Sequence, residues 1–264
     1  MKIKTSFISV ILMLTILQTI LFTDVNGQQV IASSGGNYIQ SSCSMSFTVG
    51  ETVIQTLNNG NHMLAQGFQQ PYKLTLNLKA YLQGFYDVAI GEMRTVLYNQ
   101  GEWLTQGTEC DTILVQLHES NPPYNVVQSL KGILQTNGTI VLRGMGQAGM
   151  SYYIGIRHRN SVETWSANPI TLVDNTYYDF STAATQAYGD NQVQVAPGTY
   201  AFYTGDIDQS GGVDGDDFNL LDPDIQNGNG GYLSTDLDGS GGIDGDDFNL
   251  FDPNAQNGVG AFLP

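Results

Sequence analysis

Residues 205–264 repeat themselves at an offset of 30. GDIDQSGGVDGDDFNLLDPDIQNGNGGYL, from Gly205, is matched by TDLDGSGGIDGDDFNLFDPNAQNGVGAFL, from Thr235. Two copies this similar define a duplicated structural unit, and whatever one half folds into the other must also accommodate. Each copy opens with side-chain oxygens at fixed intervals: Asp206, Asp208, Ser210, Asp214 and Asp217, then Asp236, Asp238, Ser240, Asp244 and Asp247. Gly211 and Gly241 hold the same place within them. A disordered acidic tail has no need of identical spacing in two copies.

The spacing is that of a twelve-residue calcium loop, with oxygen ligands at positions 1, 3, 5, 7, 9 and 12 and a glycine at 6 for the sharp turn. Counting from Asp206, the expected ligands are Asp206, Asp208, Ser210, Gly212, Asp214 and Asp217. The second loop supplies Asp236, Asp238, Ser240, Gly242, Asp244 and Asp247. Two Ca2+ sites are expected. The glycines at position 7 need only their carbonyls, and Asp214 and Asp244 coordinate through water. Serine at position 5 lowers the ligand charge and predicts weak to moderate affinity. Val213 and Ile243 are predicted to form a short β-bridge pairing the two loops. Because so many carboxylates repel one another, metal binding is expected to help fold the module.

Charge narrows the partners. The formal net charge is −16, and thirteen aspartates lie beyond Gly205 with no basic residue among them. Such a block repels nucleic acid and anionic membranes and attracts cations. At the other end, Lys2 and Lys4 precede the apolar run Phe7–Phe22, the pattern of a secretory signal peptide cleaved after Gly27. A secreted, extracellular protein without membrane insertion is expected. In that compartment Cys43 and Cys110 can form a bridge, although spacing does not decide it.

Between these ends, residues 28–72 read as a small β-rich segment, with runs at Met45–Val49, Thr52–Leu57 and Met63–Phe68. Residues 73–204 carry many short strands separated by turn signals. Ile113, Val115 and Leu117 alternate on one face. Asn137-Gly138 marks a turn before Ile140–Leu142, and Tyr152–His158 leads through Arg159-Asn160-Ser161 into Val162–Trp165. The fold class is mainly β, a β-sandwich of immunoglobulin-like or transthyretin-like type. Residues 205–264 form the calcium module. Pro223 and Pro253 predict that the helix after each loop stops within about one or two turns.

The loops resemble the type I dockerin repeat, D-x-[ND]-x-[DS]-G-x-[VI]-[ND]-x-x-D, with Asp217 and Asp247 in the last position. That resemblance implies an EF-hand-type pair whose helices dock a cohesin. The basic residues frequent on such helices are absent here. A second resemblance, to exported Bacteroidota proteins, rests on FTVGE from Phe47, QGFQQP from Gln66, LNLKAYLQGFY from Leu76, YYIGIRHRNSVETWSANPI from Tyr152 and YDFSTAATQAYGDNQ from Tyr178. It implies export and a β-domain followed by a paired calcium repeat. Many relatives end in a type IX sorting domain. This chain ends at Pro264 without one, so surface attachment by that route is not expected.

Arg157, His158, Arg159, Glu163 and Trp165 form the densest functional cluster of the β-domain. It reads either as a glycan-binding face with Trp165 as platform, or as a hairpin with a core tryptophan and a solvated Arg/His face. His62 and His118 lack metal-ligand spacing. Glu92, Glu102, Glu109 and Glu119 match no catalytic motif, so a non-enzymatic role is expected. The partner classes left are calcium, a cohesin-like protein in polysaccharide degradation, or a surface glycan.

Overall fold

Period-2 alternation of apolar residues builds two sheets that close over one core. The computed structural model describes residues 34–40, 43–49, 56–58, 63–65, 74–102 and 107–264. The expected signal segment, 1–27, lies outside them. The chain divides into two units, Met1–Pro71 and Tyr72–Pro264. In the first, β1 (Ser34–Gln40) pairs antiparallel with β2 (Cys43–Val49), and β3 (Thr56–Asn58) with β4 (Met63–Ala65). Among the described residues no helix is long and apolar enough to cross a membrane.

The second unit begins with β5 (Thr75–Lys79), then β6 (Tyr86–Asp87), β7 (Glu92–Met93) and the single turn α1 (Val96–Asn99). The long strands β8 (Glu109–Glu119) and β9 (Val126–Gln135) follow, then β10 (Thr139–Arg143), β11 (Ser151–His158) and β12 (Ser161–Trp165). Short strands β13 (Ile170–Thr171), β14 (Thr176–Asp179), β15 (Val193–Ala196) and β16 (Thr199–Ala201) close the β-domain. One sheet runs β10-β5-β14, with β5 antiparallel to β10 and parallel to β14. The other runs β12-β11-β8-β9, with β13 also on β11. Leu76 and Leu78 of β5 and Ile140 and Leu142 of β10 face Ile113, Val115 and Leu117 of β8 and Ile154 and Ile156 of β11. This is the β-sandwich that the alternation predicts. The chain crosses between the sheets at Gly138, where φ is 81° and a Cβ would come within 2.7 Å of the Ala80 carbonyl oxygen.

Two helices follow, α2 (Gly215–Asn227) and α3 (Gly245–Gln256). Each begins in a capping box, Asp214 with Asp217 and Asp244 with Asp247. Each runs through its proline, 13 and 12 residues long, which corrects the one- or two-turn helices expected. An internal proline costs about 3 kcal/mol. Burial offsets it, because Leu221 and Phe251 sit in an apolar cluster with Val162, Ile207, Val213, Leu237 and Ile243. The Asn227 and Asn257 side chains also bond the Pro223 and Pro253 carbonyls, at 2.7 and 2.8 Å.

The expected bridge between the two loops is not formed. Val213 N–H donates to Val259 O at 2.8 Å, and Ile243 N–H to Asn229 O at 3.0 Å. Each loop pairs with the residues leaving the opposite helix. Gly228 and Gly258, both at φ 60°, turn the chain back there.

Candidate metal centres

Position 12 of each loop lies in the first turn of its helix, and the capping box holds it there. In the first loop, Asp217 Oδ1 accepts from the backbone N–H of Ile207 (2.6 Å) and Asp208 (3.0 Å), while Oδ2 accepts from Asp214 (2.9 Å). In the second, Asp247 Oδ1 accepts from Leu237 (2.7 Å) and Asp238 (3.1 Å), and Oδ2 from Asp244 (2.8 Å). Helix-start capping thus pulls the end of each loop onto its beginning. The result is two triads, Asp206–Asp208–Asp217 and Asp236–Asp238–Asp247, with one oxygen from each member inside a 4.8 Å span.

Five of these six carboxylates are buried; Asp208 is exposed. Burial, and then the neighbouring carboxylates Asp217 and Asp208, push Asp206 up to about 6. Burial and then Asp247 push Asp236 up to about 7. Burial likewise raises Asp217 and Asp247. Clustered, desolvated anions resist ionisation unless a cation neutralises them. The donor set of clustered hard carboxylate oxygens fits calcium.

The remaining predicted ligands stand outside the triads. Asp214 and Asp244 cap their helices, each Oδ1 accepting from the N–H two residues on at 2.8 Å. Ser210 and Ser240 close the turn onto Asp208 and Asp238 through their backbone N–H, at 2.9 and 2.8 Å. Ser240 Oγ lies 3.3 Å from the Gly242 carbonyl, while Gly212 lies on the bridge to Gly260.

The second loop is pressed against the sandwich. Arg94 Nη1 donates to Asp238 Oδ2 at 2.7 Å and to its carbonyl at 3.0 Å, and Gln100 Nε2 donates to Asp236 Oδ2. Behind Gln100, Arg159 Nη2 reaches Gln100 Oε1 at 3.2 Å, and Arg159 Nη1 bonds the Leu233 carbonyl. Arg159 Nε reaches Asp111 Oδ2 at 3.0 Å, and the Tyr232 hydroxyl donates to Asp111 Oδ1. The contact is so close that a Cβ on Gly84 would overlap the Leu237 carbonyl oxygen. Sequence reasoning missed Arg94, Gln100 and Asp111. The available signal is scarcity: Lys and Arg number nine in the whole chain, and two of those cations face the acidic module.

The Arg/His face expected to be solvated is partly interior. His158 is 4 % exposed and its Nε2 lies 3.1 Å from Asp111 Oδ2. Trp165 is buried at 5 %. Its ring lies 3.7 Å from that of His118, both over Gly155, whose missing Cβ makes the room. A stacking platform needs an open ring face, so Trp165 does not serve as one. Cys110 is a buried free thiol, pushed well above its ordinary value by burial. The side chain of Cys43 lies outside the described residues.

No family model and no curated protein matches the chain. Two solved type II Cohesin-X-Dockerin complexes from Acetivibrio cellulolyticus, an N-terminal and a C-terminal interface mutant, are similar to it at 12 % identity. Each match covers 69 % of this chain and 95 % of the other, with a TM-score of 0.42. At that level no residue's role carries over.

Proposed function

We propose that this is an exported, non-enzymatic calcium-binding protein whose C-terminal repeat is folded by two Ca2+ ions and locked by them onto the β-sandwich. The observation that carries the reading is the pair of carboxylate triads, at identical positions of the repeat and mostly buried. Asp206, Asp208 and Asp217 would hold one ion, and Asp236, Asp238 and Asp247 the other. The remaining loop oxygens, from Ser210, Gly212, Asp214, Ser240, Gly242 and Asp244, would complete the shells directly or through water. Bound calcium supplies the positive charge that lets buried carboxylates stay ionised. Calorimetric titration of the full chain with calcium chloride is expected to show two ions bound, and one after Asp217→Asn. Absence of heat, with no spectral change, would sink the reading.

One observation favours a second role, docking of a cohesin-like partner. The helices are long enough to present a surface, and Phe218, Leu220 and Phe248 are exposed on it, the two phenylalanine rings 5.9 Å apart. Exposed paired aromatics are typical anchors of protein interfaces. Replacing both Phe218 and Phe248 by Asp is expected to abolish calcium-dependent complex formation with the partner from the extracellular milieu, read by size-exclusion chromatography. The calcium heats should remain.

A further inference from the structure

The two loops match at every predicted ligand position, so the ligand types themselves do not distinguish the two sites. In the first loop Asp208 Oδ1 accepts from Ser210 N–H, Asp206 Oδ1 from Gly211 N–H at 3.3 Å, and Asp208 faces solvent. Among the described residues, no side chain of the sandwich donates to either carboxylate. In the second loop Ser240 N–H and Gly241 N–H again bond Asp238 and Asp236, Gly239 N–H adds a bond to Asp236 Oδ1 at 3.0 Å, and both carboxylates also meet sandwich donors. Arg94 holds Asp238 Oδ2, the oxygen left over after Ser240 N–H takes Oδ1, and Gln100 holds Asp236 Oδ2.

The sequence difference between the loops agrees with this. Position 4 is Gln209 in the first loop and Gly239 in the second. Gly239 has φ 72°, and a Cβ there would come within 2.5 Å of Val96 and 3.0 Å of Phe85. Only the glycine-bearing loop can lie flat on that surface, where Asn99 Nδ2 also reaches the Gly239 carbonyl at 3.4 Å.

We propose that the second loop is a guarded calcium site, in which the Arg94 guanidinium competes with the ion for Asp238 so that the loops fill in order, the first before the second. The inference rests on the calcium reading above. A charge-assisted bond to a carboxylate oxygen must be given up or shared when a dication enters, and the fixed positive charge beside the loop repels that dication. Arg94 and Gln100 also keep the second loop seated on the sandwich at low calcium. The first loop, with no such support, is ordered by the ion itself.

Calorimetric titration of the full chain with calcium chloride tests the order. The unaltered protein is expected to bind in two phases whose affinities differ by about tenfold or more. Asp208→Asn should remove the tighter phase. Arg94→Gln should tighten the weaker phase about tenfold and leave the other unmoved. Arg94→Lys keeps a cation and the packing of the stem but not the planar fork, and should fall between. Near-UV circular dichroism in saturating calcium checks that each variant is folded. Two phases of equal affinity overturn the proposal, as does an Arg94→Lys or Arg94→Gln chain whose second phase is unmoved or weaker. A titration without any heat instead overturns the calcium reading on which it stands.

Discussion

In a chelator the full chain is expected to melt about 8–16 °C lower than in millimolar calcium. An ion at about a hundred times its dissociation constant stabilises by about 2.7 kcal/mol, and at the tenfold weaker site by about 1.4 kcal/mol. For a unit of this size, about 1 kcal/mol moves the midpoint by roughly 2–4 °C. The shift should reach the sandwich as well as the repeat, because the second loop is continuous with it. Asp236 is bonded to Gln100, Gln100 to Arg159 and Arg159 to Asp111. Circular dichroism in the far and near ultraviolet would then give one coincident transition. A chain whose melting ignores calcium, or one that melts in two separate steps with only the later residues responding, contradicts this.

Asp111→Ala is expected to cost about 3–5 kcal/mol at pH 7, the usual result of stripping one partner from a buried charged network. Asp111 is fully buried and accepts from Arg159, His158, Tyr232 and the backbone of Thr112. An ionised carboxylate only accepts, so the His158 Nε2 carries the proton in that bond. Burial alone would push the Asp111 carboxyl up. The hydrogen bond and charge of His158, the Arg159 charge and the Tyr232 hydroxyl outweigh it and hold the carboxyl far below its ordinary range. Burial and the Asp111 charge in turn raise Tyr232, which stays a donor. A carboxyl depressed on folding contributes stability above its unfolded value of about 3.9, and loses it as the pH falls from there toward the folded value. The gap in urea midpoint between the unaltered chain and Asp111→Ala should therefore be full at pH 7 and shrink between about pH 4 and pH 2. A gap independent of pH would mean that the residue matters for packing alone.

The difference between Asp111 and the loop aspartates shows how the same side chain is used in opposite ways. Asp111 meets cations of the chain itself and is held ionised. Asp206 and Asp236 are buried beside other carboxylates, and burial first and those neighbours second push them toward the neutral form. Supplying positive charge from outside is the task proposed for calcium. Arg94 supplies part of it from inside, at one of the two loops only.

Local chemistry settled much of this protein before any contact was known. Alternation at Ile113, Val115 and Leu117 placed a strand with one face in the core, because side chains on a strand point alternately to its two faces. The spacing from Asp206 to Asp217 and its copy at Asp236 to Asp247 marked residues that a tight glycine turn and a helix cap bring together. All of those determinants lie within twelve residues of one another. The tertiary structure decided what depends on residues far apart in sequence. Pro223 and Pro253 lie inside full helices because Leu221 and Phe251 have an apolar cluster to fill, and local propensity cannot see that cluster. Val213 and Ile243 bond to the segments after the helices and not to each other, because Gly228 and Gly258 return the chain beside the opposite loop. Arg94 and Asp238, 144 residues apart, meet only when the sandwich and the repeat share one surface. No spacing rule reaches across that distance, since the contact is set by the packing of two elements, each built from its own local pattern.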